Sequence, residues 1–204
     1  LNDFSDLFFQ KKKFNFEKFK QFFELPGNLD DNPRIERVRK RISEHKNKNV
    51  SDLETEKLRN ETSTIRCVAL VIETRSDCSG KKEINEMLSY GTTRVELGVQ
   101  SLDNNILEKV KRGHTVEDSI NSIRLLNDSL LKVSYHMMIG LPGSNKNKDI
   151  TMFKEIFEND NYKPDMLKIY PCLVIPGTPL YETWKEGKYK PLSVEEAAEI
   201  IAES

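Results

Sequence analysis

Residues 94–101 read Arg94-Val95-Glu96-Leu97-Gly98-Val99-Gln100-Ser101. Successive side chains of an extended chain point to opposite faces. Val95, Leu97 and Val99 therefore share one face, and Arg94, Glu96, Gly98 and Gln100 share the other. The same division recurs in three further stretches that read as strands. In 65–74, Val68, Leu70 and Ile72 oppose Cys67, Ala69, Val71 and Glu73, with Arg75 following. In 132–139, Val133, Tyr135, Met137 and Ile139 oppose Ser134, His136 and Met138. In 166–174, Leu167, Ile169 and Pro171 oppose Lys168, Tyr170 and Cys172. Amphipathic stretches at 81–90, 103–111 with 116–131, and 146–159 separate these strands. Connections of that length carry helical crossovers, so the strands are expected to be parallel. Two shorter helices, 178–187 and 193–204, complete the pattern. The predicted fold is α/β, a partial (β/α) barrel.

A parallel sheet covered on both sides reads as nearly continuous apolar runs. Here one face is apolar and the other carries Glu73, Arg75, Glu96, Gln100, His136, Lys168 and Tyr170. Such groups are costly on a covered surface unless they pair with one another or with a ligand. Two explanations stand: an internal salt-bridge network, or a lumen that holds something polar. The second has the support of the connecting loops. Residues 76–80, 141–147 and 176–179 lie at the C-terminal strand ends, where barrels of this kind gather their sites, and are rich in Gly, Pro, Ser and Asn.

The chain changes character near residue 64, which divides a helical, partly basic segment (1–63) from the barrel segment (64–204). Eight of the ten Phe lie in residues 1–23. Phe16, Phe19, Phe22 and Phe23 are spaced for one helix face, and Leu25-Pro26-Gly27-Asn28 ends that helix. Residues 34–48 form a second amphipathic helix on Ile35, Val38 and Ile42, with seven Lys/Arg against two Glu. This helix is either a solvated face or a phosphate-contacting surface. Over all 204 residues, 32 basic charges nearly balance 33 acidic ones, so a globally basic nucleic-acid binder is not indicated. No apolar run approaches the roughly 20 residues of a membrane span, and no signal peptide opens the chain. Cys67, Cys78 and Cys172 are too few for a disulfide framework, show no CxxC spacing and cannot hold a zinc or iron–sulfur site alone. A soluble intracellular piece is expected, and because it opens on Leu1 a fragment is expected.

Each candidate has a plain alternative. Glu73 and Glu96 could form a carboxylate pair for acid–base work, or anchor Arg75, Arg94 or Lys168. His136 could be a base or ligand, or a satisfied core residue. His114, in Lys111-Arg112-Gly113-His114, follows a helix end with Gly at the cap position. Gly140-Leu141-Pro142-Gly143 lets backbone approach a ligand, as any tight turn would. Tyr181 and Trp184 read as packing. There is no P-loop, no nucleophile elbow and no HExxH.

Several blocks, taken together, resemble the Elongator catalytic subunit family. They are Cys67-Val-Ala-Leu-Val-Ile-Glu-Thr-Arg75, Thr93-Arg-Val-Glu-Leu-Gly-Val-Gln-Ser101, Lys111-Arg-Gly-His-Thr-Val116, His136-Met-Met-Ile-Gly-Leu-Pro-Gly143, Pro164-Asp-Met-Leu-Lys-Ile-Tyr-Pro171 and Gly177-Thr-Pro-Leu-Tyr-Glu-Thr-Trp184. They cover about residues 57–204, and the archaeal members look closest. The resemblance implies a radical S-adenosylmethionine barrel joined to an acetyltransferase domain, acting in the cytoplasm on C5 of the wobble uridine of tRNA. It implies S-adenosylmethionine, a [4Fe–4S] cluster and acetyl-CoA in the parent enzyme, and tRNA, other Elongator-type subunits or a second copy as partners. It also implies site residues: Glu96, Lys168 and His136 at the chemistry; Glu73, Arg75, Gln100, Ser101 and Gly140 toward the cofactor and nucleoside; and Arg37, Lys40, Arg41, Arg112 and His114 toward RNA. No protein metal ligands are assigned.

The family's three-cysteine cluster motif, its second strand with a Gly-Gly-Thr turn and its acetyltransferase domain are not in these residues, and Ser76-Asp77-Cys78-Ser79-Gly80 departs from the usual loop. These 204 residues alone are therefore expected to be inactive. Two rivals are a radical S-adenosylmethionine enzyme with a small-molecule substrate, similar to coproporphyrinogen oxidase, and a non-catalytic tRNA-binding or subunit-docking module. Charge reversal at Arg37, Lys40 and Arg41 is expected to weaken tRNA binding in a filter assay and flatten its salt dependence. Unchanged binding would remove this helix from the footprint.

Overall fold

The computed structural model describes residues 4, 6–11, 13–28, 30–46 and 51–204. They form two compact units, Leu1–Val68 and Ala69–Ser204.

In the first unit, β1 (Phe9–Gln10) and β2 (Lys13–Phe14) form a short antiparallel hairpin. Helices α1 (Phe16–Phe23), α2 (Asn32–Glu44) and α3 (Leu53–Thr62) follow. The phenylalanines build a small aromatic core around buried Phe8, with Phe19 and Phe22 at ring distances of 5.3 and 5.4 Å. Phe16, expected on the same face, is exposed and lies under the Lys20 ammonium instead. The basic helix starts at Asn32, capped by Asp31, and ends at Glu44; residues 47 and 48 lie outside the described residues. The hairpin and α3 are elements that the apolar spacing of residues 1–63 does not announce.

The second unit is one sheet with helices on one face. Its strands are β3 (Leu70–Thr74), β4 (Thr92–Gln100), β5 (Lys132–Ile139) and β6 (Met166–Pro171), all parallel in the order β3-β4-β5-β6. Between and after them run α4 (Lys81–Ser89), α5 (Asn104–Lys109), α6 (Val116–Asp128), α7 (Lys146–Glu158), α8 (Pro179–Lys185) and α9 (Val194–Glu203). Sequential strand order with helices on one side is an arc of a (β/α) barrel, as the alternation predicts.

The expected apolar face is the core. Val95, Leu97, Val99, Val133, Tyr135, Met137 and Ile139 are all buried against Ile84 and Met87 of α4, Ile123 and Leu126 of α6, Met152, Phe153 and Ile156 of α7, and Ile200 of α9. Tyr135 donates its hydroxyl to the Tyr162 carbonyl at 3.0 Å, so its polar end is satisfied in the core.

Two strands are shorter than expected. Residues 65–69 are not strand, and Val68 is exposed, because the neighbour they would need starts only at Thr92, opposite Leu70. The side-chain amide of Asn60 takes both backbone groups of Cys67 instead, at 2.8 and 2.9 Å. The last strand stops at Pro171, opposite Ile139, the final residue of β5. Within β4 the register slips by one residue between Leu97 and Gln100, and Gln100 adopts a left-handed φ of 70°.

Phe153 is fully buried at the centre of the helix layer. Phe153→Ala should cost about 3–5 kcal/mol in a denaturant titration. A loss under about 1 kcal/mol would show that α7 is not packed as described.

Candidate active site

The opposite face of the sheet carries the polar side chains, and three strands converge on one carboxylate. Glu96 of β4 lies at the sheet's middle with its side chain almost fully buried. Its Oε2 meets His136 Nε2 of β5 at 2.8 Å and is also in contact with Lys168 Nζ of β6. Its Oε1 accepts from Arg94 Nη2 at 3.3 Å. The pleat explains the meeting: His136 and Lys168 are register partners, and Glu96 and Glu73 are register partners one row below. His136 Nδ1 lies 3.4 Å from Glu73 Oε1, and Glu73 itself is two-thirds exposed. The ring of Tyr170, two residues beyond Lys168, lies 5.6 Å from that of His136.

The Lys168 ammonium, then His136, holds the Glu96 carboxyl below the ordinary carboxylate range, and Glu96 in turn raises Lys168. Both members of the pair are therefore charged at neutral pH. The ligating atoms of Glu73, Glu96 and His136 lie within 4.8 Å of one another, a set found nowhere else among the described residues. The Lys168 ammonium already supplies positive charge to it.

Further up β4, Arg112 and Gln100 meet over Gly98. The Arg112 guanidinium occupies the space a Gly98 Cβ would take, the Gln100 amide lies 3.1 Å from that point, and Arg112 donates to the Gly98 carbonyl at 3.3 Å. A glycine inside a strand marks such close approaches. Gly98 belongs to the site, and its place on the polar face of a strand was the available signal. Arg112, expected toward RNA, thus stands on the inner face. Burial, then the neighbouring Arg75, lowers its affinity for the proton. Three buried polar atoms of the inner-face residues, Arg112 Nε, Arg94 Nε and Ser134 Oγ, have no hydrogen-bond partner.

The remaining expected residues have local partners. Arg75 forms a two-pronged pair with Asp77 of its own loop, at 2.9 and 2.5 Å. That loop is tied to α6 by two buried serine contacts, Ser119 to Ser76 at 2.8 Å and Ser79 to Ser122. Ser101 is buried and accepts from the Asp103 amide at 3.2 Å. His114 is buried with Nε2 3.2 Å from the Val99 carbonyl, and burial lowers its affinity for the proton. Gly140 lies at the end of β5 with both its peptide groups engaged.

In the first unit, Arg37 and Arg41 both grip Glu24 at the end of α1, at 2.6 and 2.5 Å. The Arg37 guanidinium, then that of Arg41, brings the Glu24 carboxyl down to about 2. Arg41 also donates to the Phe22 carbonyl at 2.7 Å, and Arg34 to those of Phe23 and Glu24. Cations at a helix C-terminus satisfy its orphan carbonyls. Of the three residues expected on the RNA-facing helix, only Lys40 is exposed without an ion pair among the described residues.

A parallel arc of strands with helices on one face and a charged cluster on the other is the layout of an α/β barrel, a class that places its sites at the C-terminal strand ends. Residues 13–156 match the Radical SAM superfamily, and residues 164–204 match the Radical_SAM C-terminal domain. The chain belongs to the Radical SAM superfamily. It is 64% identical over 152 residues to a protein of Methanocaldococcus jannaschii named tRNA uridine(34) acetyltransferase, covering 74% of this chain and 28% of the relative. It is 46% identical over 142 residues to human Elongator complex protein 3, covering 70% of this chain and 26% of that protein. The solved structure of an archaeal Elp3 from Methanocaldococcus infernus, lacking its N-terminus, superimposes with a TM-score of 0.73 at 56% identity, over 83% of this chain and 39% of that one. Coproporphyrinogen III oxidase of Escherichia coli superimposes with a TM-score of 0.53 at 16% identity, a likeness of fold alone.

The chain thus spans little more than a quarter of the curated relatives it matches. Family membership implies S-adenosylmethionine and a [4Fe–4S] cluster. The inner face fits the first: it offers carboxylates, cations and unpaired buried donors to a ligand bearing a carboxylate, an amine and hydroxyls. It does not fit the second, since none of the three cysteines joins a ligating group among the described residues.

Glu96 is depressed by Lys168 and His136, so its share of stability is complete above the ordinary value of 4.5 and lost as pH falls through its lower native value. Lys168 is raised, so its share is complete below 10.5. The melting-temperature gap between the wild type and Glu96→Gln should shrink as pH falls below 4.5. A gap that persists undiminished in stronger acid would contradict the pairing.

Proposed function

We propose that this chain is the lumen-forming part of a tRNA uridine-34 acetyltransferase of the Elongator type. The supporting observation is the 64% identity to a relative of that name, over three quarters of the chain. Bound S-adenosylmethionine would supply the hydrogen-abstracting chemistry in the parent enzyme; acetyl-CoA would supply the transferred carbon, and a cytoplasmic tRNA the acceptor. Glu73, Gln100 and Arg112 would hold the polar parts of S-adenosylmethionine against the inner face. Arg75, Ser101 and Gly140 would act on the loops that border it, because their polar groups are spent there.

Glu96 and Lys168 would fix charge beneath the reacting groups. Their mutual contact keeps both ionised, so Lys168 offers a positive charge without needing a proton from the substrate. His136 stands between Glu73 and Glu96, where it can accept or return a proton at Nδ1 or Nε2. Tyr170, beside it and partly exposed, offers a flat surface for a planar group. Lys40 is the residue of the basic helix best placed to meet RNA phosphates. Other Elongator-type subunits or a second copy would be the protein partners.

In the full-length parent protein supplied with tRNA, acetyl-CoA and S-adenosylmethionine, Lys168→Ala should lower wobble-uridine modification on the order of 10²-fold. Undiminished modification would assign the lumen cluster a purely structural role. Turnover that needs no tRNA would favour a small-molecule substrate.

A further inference from the structure

The segment between α8 and α9 is not used by the chemistry above, yet it reaches the strand ends where the site opens. Tyr189 donates its hydroxyl to the Gly140 carbonyl at 2.7 Å, from 49 residues away. On the other side of the same residue, the Gly140 amide donates to Asp149 Oδ2 of α7 at 2.8 Å. The second oxygen of Asp149 accepts from the Ser144 hydroxyl at 2.5 Å, and the Ser144 amide closes the turn onto the Leu141 carbonyl at 2.8 Å. The turn 140–144 is thus gripped at both ends of one residue.

The grip is built for glycine. Gly140 has a left-handed φ of 69°, and a Cβ there would lie 2.7 Å from Leu192, on the same segment as Tyr189. The Asp149 carboxylate is buried with no cation among the described residues. It is held by the Gly140 amide, the Ser144 hydroxyl and its place in the first turn of α7. Burial pushes the Asp149 carboxyl up, while the Ser144 hydroxyl and the Gly140 amide favour its ionised form, and these two donors fix the direction of both its oxygens.

The Tyr189 ring also belongs to a second small apolar cluster. That cluster gathers Ile106 and Val110 from the connection after β4, Leu141 from that after β5, and Cys172 and Leu180 from that after β6. All three connections border the mouth of the lumen. Met138, which faces the lumen from β5, packs on the same cluster.

We propose that Tyr189 is a positioning residue: acting through the Gly140 peptide, it fixes the turn 140–144 at the mouth of the lumen and so couples the radical chemistry to the bound RNA. The coupling half of this inference rests on the function proposed above; the clamp half does not. A loosened mouth turn admits water and lets cofactor cleavage run without substrate reaction.

The test uses Tyr189→Phe, which keeps the packed ring and removes only the hydroxyl, in the full-length protein. Amide hydrogen exchange should rise at least about tenfold at residues 140–145 and stay unchanged along β5. The number of 5′-deoxyadenosine molecules released per modified uridine should rise at least about threefold. That ratio is independent of how much protein is folded. Asp149→Asn, which weakens the other side of the clamp, should move both readouts the same way. Unchanged exchange at 140–145, or an equal rise along β5, would overturn the clamp. Faster local exchange with an unchanged ratio would overturn the coupling. A wild type that modifies no tRNA would instead overturn the proposed function, and the exchange result would still decide the clamp.

Discussion

A buried carboxylate on the inner face of a parallel sheet is the constraint around which the site is built. Glu96 sits in the middle of β4 with strands on both sides, where an unpaired charge would be expensive. Its neutralisation draws one residue from each of three strands: Arg94 from its own, His136 from β5 and Lys168 from β6. A one-residue slip of β5 or β6 would send His136 or Lys168 to the helix face and cost the carboxylate one of its three partners. The contacts that define the site are therefore also contacts that fix the register. On the other face, packing of Val95, Leu97, Val133 and Tyr135 under the helices demands the same register.

The ends of the strands follow a different rule. There the sheet gives way to loops, and each is held by small polar contacts. Paired serines fasten the loop after β3 to α6, and Asp149 and Tyr189 fasten the turn after β5. These contacts leave the inner face open while setting where its border stands. Arg112 and Gln100 over Gly98 lie between the two regions, and Arg112 Nε is buried there without a hydrogen-bond partner. In a closed salt-bridge network every buried polar atom would be paired; on this face Arg112 Nε, Arg94 Nε and Ser134 Oγ are not.

Much of this was legible in the sequence, because alternation is a strong signal where one face is apolar. Both faces of β4 and β5 and the approach of Glu96, Lys168 and His136 follow from counting by twos. Strand length was not legible: residues 65–69 have strand-forming side chains, but strand needs a partner, and β4 begins only at Thr92. The one-residue slip in β4 and the left-handed Gln100 depend on neighbours that local pattern does not encode. The same holds for charge. Arg37 and Arg41 read as a basic outer face, yet both turn to Glu24, which precedes them by 13 and 17 residues. Tyr189 gave no signal, because a lone tyrosine between lysines has no period and its partner is a backbone carbonyl 49 residues away.

The dependence of the site on Glu96 is tested most directly by a double-mutant cycle on stability near neutral pH, combining Glu96→Gln with Lys168→Met. Strong non-additivity is predicted: once either charge is gone, removing the other should cost little or even restore stability, because the survivor no longer stands unpaired. Effects that simply add would mean that the two side chains do not depend on each other, and would contradict the account.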